Sequence, residues 1–277
     1  MPPRDPNAEF YDGLAENYHR MYDDWWSFAT HYTGVLAELL AAEGVEPPAE
    51  VLDVTCGIGT QALPLAALGY RVTGSDLSEG AVRRARREAA SRGLDAEFVT
   101  GDVRRIAEQG DSKYDAAISG SNSLTHLLTD EDLRQALSSV HRRLRPGGVF
   151  LATIRDYDRL ARENVQGLVP ETFGSGDERS IVVQAWDWSE DRRTLTAHHV
   201  LLLKKKGEDG DGEAWDSTVR TTDYRALRRA EFDAALTATG FDDIRWYLPD
   251  HEDPQGVAPE PGRRSSYYQP VVVARAV

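Results

Sequence analysis

The residues best placed by type and spacing to do chemistry lie in the first two-thirds of the chain. Asp53-x-x-x-Gly57-x-Gly59 follows a short apolar run and precedes a helical pattern at Gln61–Leu68. Two glycines in such a turn let the backbone bend sharply and let a ligand approach it closely. The helix start beyond it offers unpaired N–H groups to whatever lies above. A third glycine is missing, since Leu63-Pro64 stands near its place. Asp76 closes the next apolar run, at the distance where such folds put a carboxylate for ribose hydroxyls. Asp102 closes the run after that.

These residues need a parallel sheet to bring them together. The pattern predicts strands at 51–54, 71–76, 97–103, 114–119 and 149–154, with helices between them at 78–92 and 130–143. Leu144-Arg-Pro-Gly-Gly148 marks the turn before the fifth strand. Taken together, Asp53-x-x-x-Gly57-x-Gly59, Asp76, Gly101-Asp102, Tyr114-Asp115 and Leu144–Gly148 resemble the class I S-adenosylmethionine-dependent methyltransferases over roughly residues 50–155. The resemblance implies an α/β, Rossmann-like fold: a seven-stranded, mostly parallel sheet with one antiparallel strand. It also implies a site for S-adenosylmethionine. Thr55, Gly57 and Gly59 would carry the methionine part, with Gly120 nearby. Asp76 would accept from both ribose hydroxyls. Leu77 would cover the adenine, and Asp102 and the Val103 N–H would bond its edge.

Two stretches after the fourth and fifth strands narrow the resemblance. They are Asn122-Ser-Leu-Thr-His126-Leu and Arg155-Asp156-Tyr157-Asp158. They are similar to the glycine N-methyltransferases and the bacterial glycine/sarcosine N-methyltransferases. That match implies Arg155 gripping a substrate carboxylate and Asn122 orienting the substrate, with Tyr11 and Tyr22 near the cofactor carboxylate and the substrate. Tyr268-Gln269-Pro270 agrees with it. An arginine suits the task because its guanidinium forks onto a carboxylate. The bland alternative pairs Arg155 with Asp156 or Asp158. Tyr22 would shed or relay a proton. One position departs from the animal enzymes: Phe28 stands where they carry an arginine.

Outside the core, residues 1–7 read as disordered, 8–21 and 31–43 as helices, and Tyr11, Tyr18, Tyr22, Trp25 and Trp26 as an aromatic cluster. It is core for Trp25 or Trp26, or a lid over the cofactor. After Ile154 the pattern predicts three antiparallel strands at 180–188, 194–205 and 215–224, with Lys204–Glu213 as a hairpin tip. A helix at 228–239, a strand at 243–248, a polar loop at 251–266 and a strand at 267–276 follow. The implied organisation is an N-terminal helical cap (1–48), a cofactor-binding core (49–155), an inserted β lid (156–227) and a completion of the core sheet (228–277).

The chain has 277 residues and a net charge of −14, with a pI near 5.0. That acidity argues against nucleic acid or an anionic membrane as partner and suits a small-molecule substrate. The lone Cys56 excludes an internal disulfide and reads as a structural thiol. The five arginines at 83–92 read as a solvated helix face. His198 and His199 on one strand point to opposite faces, and no metal is expected. The N-terminus shows no secretory pattern and no run reaches transmembrane length, so a cytoplasmic location is expected. Nothing argues against a homo-oligomer. The reading is an N-methyltransferase acting on the amine of a small carboxylate such as glycine or sarcosine. The alternatives are a natural-product N- or O-methyltransferase and a cofactor-binding protein without catalysis.

Overall fold

The computed structural model describes residues 5–206, 213–247 and 269–277. Of the expectations above, residues 1–4, most of the Lys204–Glu213 tip, Leu248, the 251–266 loop, Tyr267 and Tyr268 lie outside them. Helices α1 (Pro6–Leu14) and α2 (Trp25–Ala42) precede β1 (Glu50–Asp53). The alternating units are α3 (Ala62–Ala67), β2 (Arg71–Asp76), α4 (Glu79–Arg92), β3 (Ala96–Thr100) and β4 (Tyr114–Ser119). Then come α5 (Asp130–His141), β5 (Leu144–Thr153) and α6 (Tyr157–Arg162). A second sheet holds β6 (Gly167–Phe173), β7 (Ser180–Trp188), β8 (Thr194–Lys206) and β9 (Glu213–Arg225). The chain finishes with α7 (Arg229–Ala238), β10 (Phe241–Tyr247) and β11 (Val271–Ala276).

The main sheet runs β10-β11-β5-β4-β1-β2-β3, and β11 is antiparallel to both its neighbours. The mostly parallel seven-stranded sheet is therefore as expected. Val51 and Leu52 of β1 are both buried, although they point to opposite faces. A parallel strand covered by helices on both sides reads as a continuous apolar run for this reason. Ser78 caps α4 by accepting from the Ala81 N–H, and Gly93 closes it in the left-handed conformation. The arginine-rich face of α4 is paired: Arg83 with Glu79, Arg84 and Arg92 with Glu88, and Arg84 and Arg87 with Glu16 beyond α1.

Four expectations need correction. The N-terminal helix stops at Leu14, and a single 3-10 turn at Tyr18–Met21 follows. Asp5 accepts from the Asn7 N–H and caps α1, so residues 5–7 are structured. The second helix begins six residues early, at Trp25, because Asp24 caps it through the Ser27 N–H. The lid has four strands, not three. The extra one, β6, is an edge strand with Pro170 inside it and Val169 exposed. Proline is tolerated at an edge but breaks the period that marks a strand in sequence.

Register decides which lid residues face the core. Gln184 pairs with His199, Trp186 with Ala197 and Ala197 with Thr222, while Leu195 pairs with Tyr224. Their side chains share the inner face, since alternate residues point the same way. His198 points outward to Asp187 and Thr221. Phe10 and Leu14 of α1 pack against Phe173, Val182, Leu201 and Leu203 of the lid.

A tight turn in the core is at Gly59, with φ +94 and its missing Cβ only 2.7 Å from the Leu63 side chain. Gly59→Ala is expected to destabilise the protein by about 1–3 kcal/mol. A shift of the urea midpoint without a change of slope would show it.

Candidate active site

The carboxyl ends of β1, β2 and β3 open into one cleft, roofed by α1 and the loop after β4. Ligands in open α/β sheets bind at such an edge. Thr55, Gly57, Asp76, Leu77, Asp102, Val103 and Tyr11 all line it. Gly59 and Gly120 stand behind it and shape it. A Cβ on Gly120 would strike Gln61, whose amide reaches the Ser121 hydroxyl.

Asp76 ties two turns together. Its carboxylate accepts from the Gly57 N–H at 2.8 Å and the Ser78 N–H at 2.9 Å. Each oxygen keeps a lone pair, which suits a vicinal diol. Burial pushes its carboxyl up, the two backbone donors pull it back, and the charge of Asp12 adds to the rise. Gly57 has φ +53, and a Cβ there would meet open space. Bare backbone beside a carboxylate with spare lone pairs fits the nucleoside and methionine parts of S-adenosylmethionine. Asp102 is held by Arg104, which also reaches Asp132. Its role toward an adenine edge would share its lone pairs with that arginine.

Asp53 is fully buried under the cleft floor. One oxygen accepts from the Thr55 N–H, and the other has no partner among the described residues. Burial pushes its carboxyl up to about 8, backbone bonds oppose this, and Asp76 adds to it. Burial likewise raises the Cys56 thiol, consistent with an inert packing role.

The other half of the site lies under the lid. Arg155 is 8 % exposed. It donates to Gln184 Oε1 at 3.3 Å, and its guanidinium sits 5.0 Å from the Trp186 ring and 5.3 Å from the Tyr224 ring. Asp156 caps α6, and Asp158 pairs with Arg228 and Arg229, so both serve other partners. Asn122 is 2 % exposed and left-handed, with φ +67. Its Oδ1 accepts from the Arg155 N–H and its Nδ2 donates to Tyr157 Oη, both at 3.0 Å. Asn122 therefore acts on the backbone of Arg155. Tyr22 donates to Tyr18 at 3.4 Å and packs at a tilt against Phe28, which stacks on Tyr32. Trp25 is core and donates to Thr60.

His126, His199, Thr222 and Tyr224 were not singled out from sequence as site residues. His126 lies in the quoted Asn122–Leu127 run, which was its only signal. Burial pulls His126 down to about 4, and the charge of Arg155 adds to this against the Asp223 backbone and carboxylate. His199 falls to about 3 by burial, with Arg155, His126 and His198 adding to it. Both rings are neutral at ordinary pH. Burial pushes Tyr224 up to about 12, against Arg155. Among the described residues no three His, Cys, Asp or Glu side chains are placed to hold a metal ion. No helix among them is long and apolar enough to cross a membrane.

Residues 51–148 match the family model described as a methyltransferase domain. A Geobacillus sp. (strain WCH70) protein classed as a methyltransferase is 27% identical, over 84% of this chain and 87% of its own length. The glycine/sarcosine N-methyltransferase of Parasynechococcus marenigrum (strain WH8102) is 30% identical, over 55% of this chain and 52% of its own. Among solved structures, CalS10 of Micromonospora echinaspora, an amino pentose methyltransferase with SAM bound, superposes with a TM-score of 0.70. It is 19% identical, with 95% of each chain covered.

Two outcomes are expected here. Asp76→Ala should weaken S-adenosylmethionine binding at least about tenfold in calorimetry, with Asp76→Asn intermediate. Asp53 has a raised folded pKa, so between its unfolded value and about 8 the folded state holds the extra proton. Its contribution to stability therefore falls as pH rises from about 4 to about 8 and then levels off. Asp53→Asn should remove that slope from a urea-stability profile.

Proposed function

We propose that the chain is a class I S-adenosylmethionine-dependent methyltransferase that methylates the amine of a small carboxylate, with glycine and sarcosine as lead candidates. The observation that carries this reading is Arg155. A buried guanidinium, spread over two aromatic faces and backed by Gln184, is oriented for a planar anion under the lid. Arginine is the side chain whose geometry matches a carboxylate. The glycine/sarcosine relatives support the same chemistry.

S-adenosylmethionine supplies a methyl group on a positively charged sulfur. The chain's own residues bind, orient and exclude water. Asp76, the Gly57 backbone and Leu77 hold the nucleoside end, and Thr55 the methionine end. Asp102 and the Val103 N–H read the adenine. Arg155 fixes the acceptor's carboxylate, which leaves its amine as the free end. Asn122 and Tyr157 hold the Arg155 backbone so that the fork does not wander. Positioning of this kind supplies much of the rate for a displacement that needs no strong base when the amine enters neutral. Tyr18 lines the cleft and accepts from Tyr22, which stands outside that lining, and the proton released by the methylated amine leaves outward along this pair.

A second reading has its own support. The full-length likeness to an amino pentose methyltransferase favours amine methylation on a larger acceptor. The two readings part at Arg155, which only a carboxylate needs.

The test is methyl transfer from labelled S-adenosylmethionine to glycine, sarcosine and an amino sugar. Turnover of glycine or sarcosine is expected, with Arg155→Ala raising KM about 30- to 100-fold and leaving cofactor affinity within about twofold. Transfer to the amino sugar alone, or equal loss of both affinities in Arg155→Ala, would reject the carboxylate role. The rate should also climb with pH as the amine loses its proton, and Asp53→Asn should climb in the same way. A flat profile would rule out free-amine chemistry.

A further inference from the structure

A chain of four hydrogen-bonding side chains crosses the roof of the cleft from three separate elements. Tyr11 of α1 lies 2.8 Å from His126 Nε2. His126 Nδ1 lies 3.3 Å from the Thr222 hydroxyl of β9. That hydroxyl donates to Asn7 Oδ1, back on α1, at 3.0 Å. Thr222 is 7 % exposed and stands outside the cleft lining, whereas Tyr11 and His126 both line it.

The chain has a direction. An amide oxygen only accepts, and Thr222 has one hydroxyl proton. With that proton given to Asn7, the Thr222 oxygen can only accept from the imidazole. Nδ1 therefore carries the ring proton, Nε2 is bare, and Tyr11 must donate to it. The ring that does this is neutral, with Arg155 and Asp223 as the charged groups around it and Tyr11, Tyr224 and His199 as its titratable neighbours. The tautomer of a neutral histidine is set in this way by the bond its other nitrogen makes.

We infer that Thr222, acting through His126, fixes the direction of the hydrogen bond at Tyr11, so that the Tyr11 oxygen faces the cleft as an acceptor for an amine N–H. The hydroxyl proton is turned away, and of the oxygen's two lone pairs one meets the Tyr224 hydroxyl and the other is left for the cleft. Two groups of this chemistry meet in the cleft under the function proposed above: the acceptor's amine and the amino group of the cofactor. With Thr222 unable to accept, the backbone of Asp223 is the acceptor left to the ring besides Tyr11, and the balance moves toward a proton on Nε2. Tyr11 would then receive a hydrogen bond from the ring and turn its own proton into the cleft, where an amine N–H would meet a donor. Thr222 and His126 are positioning residues in this scheme, and Tyr11 makes the contact.

The test reads the ring directly. In protein carrying 15N-histidine, with the His126 signals assigned by their loss in His126→Gln, long-range proton–nitrogen correlation shows which nitrogen is protonated. Nδ1–H is expected in the wild type and in Thr222→Ser, and a shift toward Nε2–H in Thr222→Val. Nε2–H in the wild type, or an unchanged ring in Thr222→Val, overturns the inference.

The functional arm uses the same variants. If the Tyr11 oxygen receives the acceptor's amine, Thr222→Val should lower kcat/KM for glycine or sarcosine about tenfold at unchanged S-adenosylmethionine Kd. If it receives the cofactor's amino group, that Kd should rise about tenfold instead. Thr222→Ser should restore either one. A Thr222→Val variant that keeps both values overturns the inference. Should the wild type turn over neither glycine nor sarcosine, the proposed function fails, while the ring tautomer and the cofactor Kd still decide this one.

Discussion

The side-chain amide of Asn122 is the joint on which the two halves of the site depend. It is buried, and each of its ends has work to do. The oxygen takes the Arg155 N–H, the nitrogen goes to Tyr157, and the Asn122 main-chain N–H reaches Thr153 O. The loop after β4 is thereby fastened to the loop after β5. Asparagine suits the position because it offers both a donor and an acceptor and tolerates the left-handed backbone found there. Neither the cofactor cleft nor the chamber around Arg155 would keep its shape with that joint loose, since each borrows a wall from one of these loops.

Polar groups in the site are treated differently according to what they face. Asp76 keeps lone pairs for a ligand while its turn is locked by two amides. Asp53, one strand earlier, has no such outlet for one of its oxygens, and burial favours its neutral form. The histidines under the lid are neutral because they share a dry space with Arg155. A guanidinium in that company is the dominant charge, and it keeps neighbouring imidazoles from taking a second positive charge.

Much of the core could be read from sequence because its signals are local. The glycine turn, Asp76 and Asp102 each close a strand within a few residues of the pattern that predicts it, and the parallel sheet brings them to one edge. Three features escaped for physical reasons. β6 carries a proline and an exposed valine, so it lacks a strand's period. The start of α2 hides in an aromatic run whose helical state depends on one cap, Asp24. The Tyr11–His126–Thr222 chain joins residues 115 and 96 positions apart, and only the register of the lid brings Thr222 inward. Arg155 and Asn122 were found as residue types in a familiar spacing. That Asn122 serves the backbone of Arg155 was visible only in three dimensions.

The lid strands hydrogen-bond to one another and to no strand of the main sheet, and they occupy one uninterrupted stretch, 167–225. The core sheet closes without them, since β5 passes directly to β11 and β10 by antiparallel pairing. Such an arrangement has a genealogical consequence. Insertions, deletions or recombination within that stretch can remake the second sheet while every ladder of the main sheet keeps its register. One scaffold can then diversify its clientele through a single interchangeable cassette, and lineages that share the donor site need not share an acceptor.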